Sequence, residues 1–265
     1  QVYPVKGPSE GGTFVVVSGS GFSQRSSILS YLYCRFNVTR VVASYVSMEE
    51  VHCTAPIGVT GYVGVEVSNN DAEYTESGVQ FEYEEVLLVS VDPSRGVMSG
   101  GTELTVVGEH LHAGGSKGLY CKFGVSLMQP ATWQSTSSIR CASPSYGDGG
   151  MVELVVINNE AVYKSVLVWT YYEDPVVYGI YPVVGGVSGG TVVQVFGVGF
   201  LGSFGTYCRF GEISVPARWS SDTLMECASP GVDGGGEVYV EVSMNNQQYG
   251  SLGSGSFEYQ EMAEV

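Results

Sequence analysis

Four short landmarks recur three times in the same order, and this repetition constrains the fold more than any other property of the chain. Gly11-Gly12-Thr13, Gly100-Gly101-Thr102 and Gly189-Gly190-Thr191 are spaced 89 residues apart. Tyr33-Cys34-Arg35-Phe36 returns as Tyr120-Cys121-Lys122-Phe123 and as Tyr207-Cys208-Arg209-Phe210. Cys53-Thr54-Ala55-Pro56 returns as Cys141-Ala142-Ser143-Pro144 and Cys227-Ala228-Ser229-Pro230, and Phe81-Glu82-Tyr83 as Trp169-Thr170-Tyr171 and Phe257-Glu258-Tyr259. The 265 residues are therefore read as three consecutive copies of one unit.

Within each copy the apolar residues alternate, as they do on a strand with one face in a core. Val15 and Val17, Leu104 and Val106, and Val193 and Val195 follow the glycine pair. A later strand shows the same alternation in Val63, Val65 and Val67, in Val152, Leu154 and Val156, and in Val238, Val240 and Val242. It ends at Asn69-Asn70, Asn158-Asn159 or Asn245-Asn246, residues that tolerate positive φ and predict a tight hairpin. The aromatic pair of the closing strand, two residues apart, predicts two rings on one side. Helical periodicity is absent. Short strands, 37 glycines and copies near ninety residues predict an all-β chain of three immunoglobulin-like sandwiches, each of about seven strands.

The order Pro, Gly-Gly-Thr, strand, Gly-x-Gly-Phe, Cys-x-Phe-Gly, aromatic, Cys-x-x-Pro and closing Phe-x-Tyr resembles the IPT/TIG family of immunoglobulin-like domains over essentially the whole chain. That family occurs in plexins, Met-type receptors, fibrocystin-like surface proteins and Rel-type transcription factors. The copies depart from one another in places. Asn37 stands where the sister copies have Gly124 and Gly211, and Tyr45 where they have Trp133 and Trp219. His110-Leu111 replaces Gly21-Phe22 and Gly199-Phe200.

Two cysteines per copy, without the close spacing of a zinc motif, predict the pairs Cys34–Cys53, Cys121–Cys141 and Cys208–Cys227 and an oxidising compartment. Asn37-Val38-Thr39 is an N-glycosylation sequon; together with the paired cysteines it predicts a glycan on Asn37 and a secretory route. The repeat predicts domains at 1–85, with an incomplete first strand, at 86–174 and at 175–261, with 262–265 opening a following segment. Links as short as Glu84-Glu85-Val86-Leu87 and Tyr172-Glu173-Asp174-Pro175 predict an elongated, stiff array on the order of 100 Å long.

A formal charge of −16, from 27 acidic and 11 basic residues, disfavours nucleic acid, which requires a basic face. No run of 18 apolar residues occurs, so direct membrane insertion of this segment is not expected. Nor do the residues suggest an enzyme, a metal site or a cofactor. His110 and His112 supply too few ligands for a metal, and His110 fits a positive-φ turn. Gly19-Ser20-Gly21 lacks a strand-to-helix elbow and partner groups, and Asp148 and Asp233 each stand alone in glycine-rich loops. Trp133, Trp219 and Tyr45 are expected to pack on the disulfide or core, with sugar stacking as the alternative.

The expected function is a non-catalytic structural or adhesive segment of a secreted or cell-surface protein, a spacer or building block contacting other chains or further copies of itself. Tyrosine-rich faces are the expected contact surfaces. A receptor ectodomain stalk, which the resemblance implies, and a carbohydrate-binding module are the alternatives.

Overall fold

The computed structural model describes residues 1–114, 117–163, 166–202, 205–250 and 255–261. Residues 262–265, read as the start of a following segment, lie outside the described residues. Two compact units are present: Gln1–Ser94 with Leu104–Ala142 and Val152–Trp169, and Arg95–Glu103 with Ser143–Met151 and Thr170–Val265.

The first copy shows the architecture most simply. One sheet has the order Val2–Tyr3, Phe14–Ser18, Glu50–Thr54, Ser44–Ser47. The other runs Lys6–Pro8, Gln80–Glu84, Gly61–Ser68, Tyr33–Phe36, Thr39–Val42. The opening segment thus begins in one sheet, antiparallel to Phe14–Ser18, and crosses to the other, where Lys6–Pro8 lies parallel to Gln80–Glu84. The Tyr3-Pro4 peptide between the two stretches is cis, as are Asp92-Pro93 and Tyr181-Pro182.

Alternation places one set of side chains between the sheets. Val15, Val17, Val51 and Cys53 come from the first sheet, and Cys34, Phe36, Val65, Val67, Phe81 and Tyr83 from the second, all buried. The expected aromatic pair is present: Phe81 and Tyr83 meet edge to face at 5.1 Å, and Phe257 and Tyr259 at 5.0 Å. Such pairs add about 0.5–1.5 kcal/mol to the area they bury. In the third copy the nine-residue strand Ile213–Ser221 pairs with both Tyr207–Phe210 and Leu224–Ala228, joining the two sheets into one hydrogen-bonded path. In the first copy that strand is interrupted at the buried Ala43.

The recurring glycine and proline landmarks pack on each other. Gly11, Gly100 and Gly189 have φ of +79°, +80° and +76°, and a Cβ on any of them would fall 2.5–2.7 Å from backbone atoms just after the Cys-x-x-Pro cysteine. Glycine is required for both reasons. Gly101 has a similar φ of +76° but open space around it. Gly100→Ala should therefore lower stability by more than Gly101→Ala, whose cost is only the left-handed backbone, about 1–2 kcal/mol; paired urea melts compare them. Tyr83 and Tyr171 then close the same corner, donating hydroxyl hydrogen bonds to Pro56 O at 2.8 Å and Pro144 O at 3.0 Å.

The chain is nearly all β, as expected, with one added detail and one corrected expectation. A short helix, Gln24–Ile28, interrupts the all-strand pattern; Ser23 caps it by accepting from Ser26 N at 3.2 Å, and five residues are too few to leave a periodic signature. Among the described residues the tight hairpin forms only in the second copy, where Asn159 and Glu160 both have positive φ between paired Ile157–Asn158 and Ala161–Val162. In the other two copies an amide side chain closes a local turn instead. Asn70 Oδ1 accepts from Ala72 N and Glu73 N, and Asn245 Oδ1 from Gln247 N and Gln248 N, which opens a wider loop.

Candidate functional site: the junctions between copies

Each disulfide lies inside one copy and ties its two sheets together: Cys34–Cys53, Cys121–Cys141 and Cys208–Cys227 are bonded and no described cysteine is free. Cys53 pairs with Val15 in one sheet while Cys34 pairs with Val67 in the other, so the bond crosses the core. Asn37 sits at the exposed tip of the hairpin joining Tyr33–Phe36 to Thr39–Val42, with φ +54°. Its sister residues Gly124 and Gly211 have φ of +59° and +61°. Asparagine is among the few side chains that accept this conformation, which explains why it can stand in for glycine there.

The tryptophans depart from expectation. Trp133 and Trp219 remain 39% and 43% exposed rather than packing in the core. Each stands beside a register shift in its strand pair, and its indole N–H donates to a backbone carbonyl, Leu111 O at 3.0 Å and Phe200 O at 3.1 Å. Both rings therefore lie over the turn that follows Glu103–Glu109 in the second copy and Val192–Val198 in the third. Tyr45 does pack against the first core. Trp133 borders a cleft of about 450 Å³ that Tyr3, Phe14, His112 and Asn159 also line.

Two clusters of polar side chains lie where one copy meets the next. In the first unit Glu84, at the end of the closing strand of copy one, reaches three groups. Lys6 Nζ lies 2.8 Å and His110 Nδ1 3.2 Å from its Oε1, and His112 Nε2 lies 3.3 Å from its Oε2. Hydrogen bonding to Glu84 raises the Lys6 pKa, whereas burial lowers that of His112 against the attraction of the same carboxylate. His110 has φ +55°, the expected positive-φ turn. Beside this cluster Gly12 approaches the carbonyls of Asn158 and Asn159 so closely that a Cβ would meet them at 3.3 and 3.0 Å. Among the described residues no three His, Cys, Asp or Glu side chains are arranged to hold a metal ion.

In the second unit the equivalent loop, Asn245–Gln248, binds the equivalent glycine turn, Gly101–Glu103. Gln247 accepts from Glu103 N at 2.7 Å and donates to Glu103 O at 2.9 Å. Gln248 accepts from Thr102 Oγ1 at 2.8 Å and donates to Gly101 O at 2.9 Å. Asn245 holds Gln248 in place, its Nδ2 donating to Gln248 Oε1 at 2.8 Å. Asp174 accepts from Ser99 N at 3.0 Å and from Ser99 Oγ at 2.5 Å. Val97 and Tyr172 join the buried cluster of the third copy with Val177 and Phe200.

None of Glu84, Gln247 or Gln248 stands out in the sequence as a site residue. The available signal is their position: each falls at a chain-equivalent corner that the repeat itself brings against its neighbour.

A family model described as IPT/TIG domain matches residues 1–83, 87–171 and 175–259. Plexin-A3 of Homo sapiens is 26% identical over 249 residues, covering 88% of this chain and 13% of that protein. Plexin-A4 of Homo sapiens is 31% identical over 206 residues, covering 74% and 11%. The chain thus spans 11–13% of the length of these curated relatives. Among solved structures, the plexin A4 full extracellular region superposes with a TM-score of 0.63 at 23% identity, covering 94% of this chain and 23% of that one, a likeness in fold.

Proposed function

Because the chain belongs to the IPT/TIG domain family, we propose that it is a non-catalytic segment of an extracellular receptor ectodomain, a stalk that spaces other parts of the protein and contacts other chains. The observation that carries this reading is that both boundaries are contacts: Glu84 lies 3.2 and 3.3 Å from His110 and His112 at the first, and Gln247 and Gln248 hydrogen-bond Gly101–Glu103 at the second. Domain limits of 1–85, 86–174 and 175–261 place both boundaries at the short links. The intra-copy disulfides suit an extracellular or cell-surface location.

The test uses the glutamates native to the links. Endoprotease Glu-C should leave folded protein uncut at Glu84, Glu85 and Glu173 while cleaving the denatured chain at all three. Rapid release of single-copy fragments from the folded protein would contradict a docked spacer.

An N-linked glycan on Asn37 belongs to the same proposal. Protein secreted from eukaryotic cells should lose mass on treatment with peptide N-glycosidase, and Asn37→Gln should abolish that loss. Asn37→Gly should abolish it too while keeping the turn intact, because glycine is native at both sister positions.

Carbohydrate binding is a second reading, favoured by the exposure of Trp133 and its place beside Tyr3 and Phe14 in one cleft. Quenching or enhancement of tryptophan fluorescence by neutral oligosaccharides, lost in Trp133→Ala, would support it.

A further inference from the structure

The two junctions use equivalent glycine turns of the repeat, yet one turn is covered and the other is open. In the second unit Gln247 and Gln248 lay two carboxamides on Gly101–Glu103, bonding Gly101 O, Thr102 Oγ1 and both the N–H and the carbonyl of Glu103. Thr102 is 0% exposed beneath them. The loop that carries these amides spans 243–249, between Val242 and Gly250, which exchange backbone hydrogen bonds. In the first unit the corresponding hairpin spans only 157–162, between Val156 and Tyr163, whose N–H donates to Val156 O at 3.0 Å. It turns back at Asn159 and Glu160, and Asn159 Oδ1 accepts from Lys117 N at 3.3 Å. Among the described residues no side chain bonds Gly12 O, Thr13 Oγ1 or Phe14 N, and Thr13 stays partly exposed.

The open turn borders the cleft of about 450 Å³, whose lining includes Tyr3, Thr13, Phe14, His112, Trp133 and Asn158. That volume falls within the range of about 300–1,000 Å³ typical of small-molecule sites. The flanks change together with the occupancy. Where the glutamines dock, the turn carries Glu103 and the first strand Asp92; where they are missing, the same positions carry Phe14 and Tyr3, both exposed. Trp133 supplies a third exposed ring. A further observation is independent of these. Asn158 is 2% exposed, its Nδ2 donates to His112 O at 3.0 Å and Tyr163 Oη at 2.9 Å, and its Oδ1 has no hydrogen-bond partner among the described residues. A buried acceptor without a donor, on a residue that lines a cleft, calls for a ligand or water to complete it.

Building on carbohydrate binding as the reading of this cleft, we propose that it takes an N-acetylhexosamine residue of a glycan. An acetamide is the group that the molecule itself sets on the equivalent turn, because it offers one carbonyl and an N–H as a glutamine side chain does. Its carbonyl accepts from Thr13 Oγ1 or Phe14 N, as Gln248 and Gln247 accept from Thr102 and Glu103 at the second junction. Its N–H donates to Gly12 O, as Gln248 donates to Gly101 O. The pyranose ring, apolar on its C–H faces, then rests against the exposed aromatic rings. Lys6 also lines the cleft but is paired with Glu84 at 2.8 Å, which favours a neutral sugar over an acidic one.

Tryptophan fluorescence titrations of the whole chain with triacetylchitotriose and with cellotriose test this, since the two sugars share a backbone and differ in their acetamido groups. The acetylated sugar should bind at least about tenfold tighter, the discrimination that two net hydrogen bonds provide. Phe14→Glu, which copies Glu103 at an exposed position, and Thr13→Val should each weaken it while circular dichroism stays unchanged. Equal affinity for the two sugars overturns the acetamido assignment and leaves carbohydrate binding standing, whereas no binding of either overturns both. Undiminished binding by Phe14→Glu also overturns the proposal. A glutaminylglutamine dipeptide amide that binds while neither sugar does assigns the cleft to a protein loop instead.

Discussion

Trp169→Ala should destabilise the second copy by about 3–5 kcal/mol, the range for deleting a fully buried large aromatic. Trp169 is 0% exposed and meets Phe123 edge to face at 5.7 Å. Its sister residues Phe81 and Phe257 occupy the same place on the closing strand and are equally buried. Trp169→Phe therefore installs a side chain that this architecture already accepts twice. It should cost less than the alanine change, by the margin between a partly filled and an empty cavity. Denaturant melts followed by near-ultraviolet circular dichroism would separate the two variants. Equal destabilisation by both would mean that the cavity does not govern stability at this position.

The second large effect is expected from opening a core-crossing disulfide. Cys121→Ala with Cys141→Ala removes a link that closes a 20-residue separation, which predicts a loss of about 3 kcal/mol if the stabilisation comes from the unfolded chain. The other two bonds close separations of 19 residues. The corresponding double variants in the first and third copies should lose nearly the same amount, because loop entropy changes slowly with length. A large spread among the three would point to packing around each bond rather than to chain entropy. Thermal melts of the three double variants, taken one at a time, decide between these explanations.

Much of the fold is legible in the residues because the constraints are local. Val15, Val17, Val51 and the pair Phe81 and Tyr83 reveal their faces by a period of two, and the cysteines fall on strands whose inner faces oppose each other. Positive φ at His110 and at Asn37 can likewise be read from what the sister copies place there. What the residues hide is set by partners distant in sequence. Trp133 looks like a core residue because it stands between the paired cysteines, yet it lies beside a register shift, donates its indole N–H to Leu111 O and stays 39% exposed. Asn70 and Asn245 look like hairpin residues, yet their side-chain oxygens bind amides two and three positions on and divert the chain.

The junctions are the least legible part. Glu84 looks like one acidic residue among many until the fold sets His110 and His112 beside it, and Gln247 and Gln248 read as ordinary loop residues until they meet Gly101–Glu103. No periodicity encodes such meetings, since each depends on how one closed sandwich lies against the next. That Glu84 faces two imidazoles at one junction while its counterpart Tyr172 is buried with Phe200 at the other becomes visible only when the copies are aligned residue by residue.

The whole account requires every copy to be clamped within itself, so that the junctions join finished sandwiches. Peptide mapping of unreduced protein, digested under conditions that prevent thiol exchange, tests this directly. It should recover Cys34 linked to Cys53, Cys121 to Cys141 and Cys208 to Cys227, with no alkylatable thiol. Peptides linking cysteines of different copies, or stoichiometric free thiols, would contradict it.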